Sequence, residues 1–487
     1  MGTGTDLQSA HPLLEPRTLG SVLNEVATSA APRALLELIR WLESFTPSSP
    51  VGTQELARVV MALHDVARPQ IRQAGGLYLS NAFGARSTRY KTLAQDFYAS
   101  LGQAYDLVMA RLATDAQVPA DDPLRLEVML RVVQAAVGET KWRAFDYQEP
   151  ARRVWERAVE AYRQADAINW LNVPVALRNA WVPRSSVHRE FAHLVALLCA
   201  SLEHQPPERI EAIDKLICEL HGSLQLVSQP LGNNCYSIDL TARSLPQRAL
   251  RLLDEVPPGM RFFRPGDALT KLAELARGAA DGSSNHAFAG LGVSAVLGAT
   301  RHLMRQWGSQ SPMRQYRRHE VSGAVALATG LGFIRTLISG DAQLRPAAAW
   351  ELLDASRSGF GVRSGMFDAD ICRVGALVGV HVGETDRWVL ALVRRVRCQE
   401  RGASVVGLQT LSNVPVPALF EDDKRCWNGI LCDPLVRGRE VRVACEPGFM
   451  RSGTGVSVSI DGRTIRLMPG KVILSGPGYH VLHCQVL

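Results

Sequence analysis

A short polar cluster, DASRSG at 354–359, separates two apolar segments of the sequence. The carboxylate of Asp354, when ionised, only accepts hydrogen bonds, whereas the hydroxyl of Ser356 can donate one to an oxygen atom. Gly359 lets the backbone approach another group closely or take a positive φ. The spacing predicts a turn that closes a hairpin, a ligand site, or both at once, because ligand sites often use such turns.

Three arginines precede this cluster, in the segment MRQYRRHEV. Arg314, Arg317 and Arg318 come just after a break in the pattern, GSQSP, and just before a strand-like run, EVSGAVAL. A guanidinium group can donate two parallel hydrogen bonds to a phosphate, and it can stack on a flat ring as a delocalised cation. The arginines therefore predict an arm that binds an anionic ligand. The alternative is a solvated linker that aids solubility.

The other reactive residue types point to no further site. The histidines of the helical half (His188, His193, His204 and His221) match no metal-ligand spacing. The nine cysteines contain no C-x-x-C pair, and most lie among apolar residues. They predict buried free thiols in a reducing cytoplasm. We therefore expect no metal site.

Enzyme motifs are also missing from the sequence. Ser356 lacks a G-x-S-x-G context, and no Lys-Ser or Lys-Thr pair follows Gly330 and Gly332 to form a nucleotide-hydrolysing phosphate loop. We expect no cofactor and no catalytic activity.

The periodicity of apolar residues changes once along the chain. In RALLELIRWLESF, Leu35, Leu38 and Leu42 recur at helical spacing, and similar runs continue to about Trp307. Beyond Pro312 the runs are short, rich in Val and alternating, which is typical of small antiparallel sheets or barrels. The prediction is a multidomain α+β protein. It has an all-α bundle or solenoid at 1–307, an antiparallel β-barrel at 312–420 and a small β module at 425–487.

Composition limits the partners and the cellular location. A length of 487 residues suggests roughly two to four domains. The net charge of +7 permits anionic partners, but the positive charges form no long run of the kind that binds nucleic acid. No apolar run approaches the roughly 20 residues that span a bilayer, and the N-terminus lacks a signal-peptide pattern. We expect a cytoplasmic protein that neither enters a membrane nor binds nucleic acid.

The two polar clusters together resemble the PilZ domain family over about residues 312–420. An R-x-x-x-R motif entering a first strand, here Arg314 to Arg318, is followed by D-x-S-x-x-G, here Asp354 to Gly359. The resemblance implies a six-stranded β-barrel that binds the bacterial second messenger cyclic di-GMP. It also implies the ligand contacts, which are Arg314, Arg317, Arg318, Asp354, Ser356 and Gly359. Since Arg317 and Arg318 are adjacent, either could be the second working arginine.

One departure from the family is the long gap between Arg318 and Asp354, filled by LGFIRTLISGDAQLRPA. An inserted helix or extended strands would absorb it. The resemblance predicts a non-catalytic receptor that couples cyclic di-GMP binding to a helical region holding a protein partner. The alternatives are a degenerate PilZ-like scaffold that binds protein partners without nucleotide, and a basic β half that binds nucleic acid with steep salt dependence.

Overall fold

The structure is a computed structural model, and it describes residues 11–80, 85–180, 182–230, 235–242, 244–249, 255–281, 288–308, 316–340, 349–383, 387–399, 402–422, 425–448, 455–460 and 462–487. The chain divides into two compact units. The helical unit comprises Met1–Leu202 and Pro207–Pro312, and the barrel unit comprises Glu203–Pro206 and Met313–Leu487.

The described part of the helical unit is built mainly from α-helices. They are α1 (Pro16–Thr28), α2 (Ala31–Glu43), α3 (Thr53–Leu79), α4 (Ala85–Thr114), α5 (Pro123–Ala144), α6 (Arg152–Ala167), α7 (Val187–Leu198), α8 (Pro207–Glu219), α9 (Ala268–Ala280) and α10 (Val293–Trp307). Consecutive helices pack together from α1 to α8, α10 packs on both α8 and α9, and α5 also contacts α7. The central position of α5 follows from its sequence, which is apolar on most sides and is buried along most of its length.

Local sequence explains where these helices begin and which face they bury. In α2 the predicted stripe of Leu35, Leu38 and Leu42 is buried. The carboxylate of Asp122 accepts a hydrogen bond from the backbone N–H of Leu124 at 2.8 Å, which caps the start of α5.

Short strands interrupt the helices of this unit. They are β1 (Val175–Ala176), β2 (Arg184–Ser185), β3 (Gln225–Val227), β4 (Tyr236–Asp239), β5 (Gln247–Arg248) and β6 (Met260–Arg264). The first two pair with each other, and the other four form one antiparallel sheet in the order β3-β6-β4-β5. These strands are additional to the all-α pattern that the sequence predicts for 1–307.

The barrel unit contains two closed antiparallel barrels of six strands each. The strands of the first barrel are β7 (His319–Thr329), β8 (Ala349–Ser356), β9 (Gly359–Ser364), β10 (Leu377–Val382), β11 (Trp388–Cys398) and β12 (Ser404–Ser412), in the order β10-β11-β12-β9-β8-β7. The strands of the second barrel are β13 (Val416–Glu421), β14 (Cys426–Leu431), β15 (Glu440–Cys445), β16 (Val456–Ile460), β17 (Arg463–Gly476) and β18 (Tyr479–Val486), in the order β13-β14-β15-β18-β17-β16. Helices followed by antiparallel barrels confirm the predicted fold class.

A short helix, α11 (Leu331–Ile338), occupies part of the long gap between Arg318 and Asp354. Ile334 on this helix is fully buried in a cluster that also contains Ile430 and Val481 of the second barrel. The two barrels therefore share a hydrophobic core, and the inserted helix lies within it. No helix of the described chain is long and apolar enough to cross a bilayer.

Candidate functional site

The predicted cluster at 354–359 closes a tight hairpin between β8 and β9. Ser356 lies opposite Gly359, so Arg357 and Ser358 form the two-residue turn. The Ser356 hydroxyl accepts a hydrogen bond from the backbone N–H of Ser358 at 3.3 Å and lies 3.3 Å from the carbonyl of Gly359, to which it donates. The hydrogen bonds of the turn and a contact with a ligand therefore explain a serine at this position equally well.

Asp354 forms an ion pair with Arg318. The guanidinium of Arg318 donates to the Asp354 carboxylate, and their side chains are 22% and 28% exposed. Glu320, two residues after the arginine, lies opposite Asp354 in the β7–β8 ladder. An extra residue at Leu353 shifts the β8–β9 register directly before Asp354. Because a bulge redirects the side chains that flank it, this shift helps to set the direction of the carboxylate.

Two glycines make room for the site in different ways. A Cβ atom on Gly359 would overlap the carbonyl oxygen of Leu408 on β12. The absence of a side chain at Gly359 therefore lets β8, β9 and β12 pack closely together. A Cβ atom on Gly361 would lie 2.6 Å from Oδ1 of Asp354. Gly361 therefore provides the space in which the carboxylate sits. Its role was not predicted, although the two-residue turn at 357–358 fixes a register that places Gly361 opposite Asp354.

The remaining predicted arginines differ in position. Arg317 is exposed, and Arg314 lies outside the described residues. The guanidinium of Arg357, in the hairpin turn, lies over the ring of Tyr316 with 5.8 Å between its central carbon and the ring centre. This pair was not predicted either. Tyr316 is close to Arg318 in the sequence, and Arg357 is close to Asp354. The pair therefore adds a cation and an aromatic ring to the same two segments, and either group can stack on a flat ligand.

Tyr316, Arg317, Arg318, Asp354 and Arg357 form the rim of the first barrel. This rim is partly exposed and combines positive charge, one carboxylate and a planar ring. The geometry suits a ligand that has both anionic oxygens and N–H donors, since arginine binds the first and Asp354 can accept from the second. Among the described residues, the hydroxyl of Ser356 contacts only groups of its own turn, Ser358 and Gly359.

A second group of polar side chains lies in the helical unit and was missed in the sequence. His193, Cys218 and His221 each offer a ligand atom, and these atoms lie within 4.8 Å of one another. The prediction of no metal site considered histidine spacing and cysteine spacing separately, whereas this group combines both types.

Comparison with known protein families gives one match. Residues 17–230 match the model of the family described as "Cyclic-di-GMP receptor FimW, N-terminal domain". The matched segment runs from α1 to just past β3, and all of it except Glu203–Pro206 lies in the helical unit. It does not include the rim residues of the first barrel. No curated protein matches the chain.

Proposed function

We propose that this protein is a non-catalytic receptor for cyclic di-GMP, and that the ligand binds the rim of the first barrel at Arg318 and Asp354. Two separate parts of the chain support this proposal. Residues 17–230 match a family described as a cyclic di-GMP receptor. The residues that resemble the PilZ motifs, at 314–359, lie outside that segment. One ligand accounts for both similarities.

The observation that carries the binding site is the ion pair between Arg318 and Asp354. Cyclic di-GMP has two phosphates and two guanines. A guanidinium can donate two hydrogen bonds to a phosphate or to O6 and N7 of guanine. A carboxylate accepts hydrogen bonds from the N–H groups of guanine. The two side chains thus offer complementary groups at one place on the rim.

Ligand binding would redistribute the hydrogen bonds of this pair. An ion pair as exposed as this one contributes only about 0–1 kcal/mol, so exchanging it for ligand contacts costs little. In the free protein the pair holds both side chains near the hairpin and lowers the entropy lost on binding. Arg318 is therefore the better candidate for the second working arginine, since Arg317 is exposed.

The receptor would pass its signal to a protein partner held by the helical unit. Arg314 and Arg317 would close on the ligand as an arm, and Ser356 and Gly359 would shape the hairpin beneath it. An arm that changes its arrangement when the ligand binds is an element that a ligand can bias, provided that the ligand binds one arrangement more tightly. We place this receptor in the cytoplasm, where a bacterial second messenger acts.

Calorimetric titration of the full chain with cyclic di-GMP tests the proposal, with GTP and cyclic di-AMP as control ligands. We expect selective binding that is lost in Arg318→Ala and in Asp354→Ala. Arg363→Ala is the matched control, because Arg363 lies on β9 of the same barrel and pairs with Glu351 at 3.3 Å. Wild-type protein that binds no cyclic di-GMP would contradict the proposal and favour the scaffold that binds proteins alone.

A further inference from the structure

The strongest unassigned feature is the polar group between α7 and α8 of the helical unit. His193 comes from α7, Cys218 from the last turn of α8, and His221 from just beyond that helix. Nδ1 of His193 lies 2.9 Å from Nε2 of His221 and 3.9 Å from the sulfur of Cys218. Three potential ligand atoms thus converge on one point.

Asp214 fixes which nitrogen of His193 is available there. Its Oδ1 lies 2.9 Å from Nε2 of His193, and its Oδ2 accepts from the ammonium of Lys141 at 3.0 Å. A carboxylate in an ion pair with lysine acts as an acceptor, so Nε2 of His193 carries the proton that it donates to Asp214. Nδ1 then holds a lone pair that faces Cys218 and His221. A carboxylate bound to the outer nitrogen of a histidine is the usual support of a metal ligand.

We infer that His193, Cys218 and His221 bind a zinc ion. Zinc bound at roughly 2.0–2.1 Å from nitrogen and 2.3 Å from sulfur, in tetrahedral geometry, keeps its ligand atoms roughly 3.3–3.6 Å apart. The observed separations of 2.9 and 3.9 Å lie on either side of this range. Side-chain shifts of roughly 0.5 Å would bring these two distances into the range. The third pair, Cys218 and His221, lies within 4.8 Å. Thiolate and imidazole ligands favour zinc over calcium or magnesium, which prefer oxygen.

The surroundings leave space for a fourth ligand. The three residues line a cavity of about 150 Å³, and Glu190 and Lys141 line it too. About 10–15 Å³ of accessible space is enough to hold one water, so this cavity can supply a water as the fourth ligand. The ion would join the end of α8 to α7 inside the segment that matches the FimW N-terminal family. Its role is then to stabilise that helix pair.

Cobalt(II) titration of the untagged full chain, after removal of metal by a chelator, tests the inference. We expect one cobalt per chain and a thiolate-to-cobalt charge-transfer band that zinc displaces. Cys218→Ser abolishes the band, whereas Cys426→Ser, which removes an exposed thiol, leaves it unchanged. His188→Gln is the matched control on α7, since His188 lies outside the cluster.

A variant that keeps all three ligands separates metal binding from folding. Asp214→Asn removes the carboxylate that binds both His193 and Lys141, while Lys141 keeps its ion pair with Glu211 at 3.1 Å. We expect about 10- to 100-fold weaker zinc binding in a chelator competition assay. Zinc should also raise the melting temperature of the wild type but not that of Cys218→Ser. Wild-type protein that binds no cobalt, or a band that persists in Cys218→Ser, would overturn the inference. The group would then be a hydrogen-bonded chain from Asp214 to His221.

Discussion

Arg318 and Asp354 are 36 residues apart in the sequence, yet the guanidinium of the first donates to the carboxylate of the second. The β7–β8 ladder brings them together, because Glu320 lies opposite Asp354 and Arg318 directly precedes β7. The inserted helix α11 lies between these strands in sequence and packs into the core shared by the barrels. The long gap is therefore accommodated without separating the two predicted motifs.

The first prediction concerns the shape of the arginine head group. Arg318→Lys keeps the positive charge but cannot donate two parallel hydrogen bonds to a guanine or a phosphate. We expect cyclic di-GMP affinity to fall by about 5- to 150-fold, which corresponds to about 1–3 kcal/mol. Isothermal titration calorimetry measures the change. Arg363→Lys, on β9, should bind like the wild type, and equal affinity for Arg318→Lys and the wild type would remove Arg318 from the site.

The second prediction concerns the space that Gly361 gives to Asp354. In Gly361→Ala the new methyl group would lie 2.6 Å from Oδ1, so the carboxylate must move. Because the end of a side chain yields more easily than backbone, we expect a native fold with weaker ligand binding. Gly365→Ala is the control, since a Cβ there meets no atom within 4 Å. Calorimetry and thermal melting of both variants separate the effects, and unchanged binding in Gly361→Ala would show that the carboxylate position is unimportant.

A third prediction separates structure from binding at Gly359. A Cβ at this position would overlap the carbonyl of Leu408, which belongs to the backbone of β12 and cannot turn away. Gly359→Ala should therefore lower the free energy of unfolding by about 1–3 kcal/mol, as overpacking does in cores. Urea denaturation measures this loss. A variant as stable as the wild type would mean that the glycine serves the ligand and not the strand packing.

Local patterns predicted much of this architecture. The helical stripe of α2 and the hairpin at 354–359 depend on residues close together in sequence, where spacing and turn chemistry suffice. The change from helical to alternating periodicity near 308–312 comes just before β7. The fold class followed from these features. The resemblance to a known family supplied the expectation of six strands.

Features that depend on distant residues were not predictable in the same way. The pairing of β9 with β12, which brings Leu408 against Gly359, requires the strand order. The group of His193, Cys218 and His221 spans two helices, and its local signal is only C-x-x-H at 218–221. A search that combined cysteine with histidine at helical spacing would have found Cys218 and His221, two of the three residues.

A fourth prediction concerns the contact between the barrels. The hydroxyl of Tyr479 donates to the carbonyl of Gly375 at 2.7 Å, and burial raises the pKa of Tyr479 to about 12, so this donor keeps its proton at neutral pH. Tyr479→Phe leaves a carbonyl without its partner, at a cost of about 1–3 kcal/mol. Hydrogen exchange should increase together in peptides from β10 and β18. Tyr316→Phe, at an exposed ring, is the control, and faster exchange in only one barrel would contradict a shared core.

The last prediction concerns acid sensitivity of the helical unit through His64. This imidazole is buried on α3, and its Nδ1 lies 3.0 Å from the hydroxyl of Tyr105. Burial lowers its pKa well below the usual 6.5, and the nearby charges of Arg68 and Arg131 lower it further. The folded protein therefore keeps His64 neutral at a pH where the unfolded chain binds a proton.

Stability should consequently fall as the pH drops below about 6.5, because the unfolded state then binds more protons than the folded state. The slope for one group approaches about 1.4 kcal/mol per pH unit. Urea denaturation of the wild type and of His64→Gln measures this slope. The window runs from about pH 7.5 to about pH 5.5, roughly one unit either side of the ordinary histidine pKa. All other titrating groups are present in both proteins, so the difference between their unfolding free energies isolates His64. If the difference between the two unfolding free energies stayed constant across this pH range, His64 would take up its proton in the folded protein.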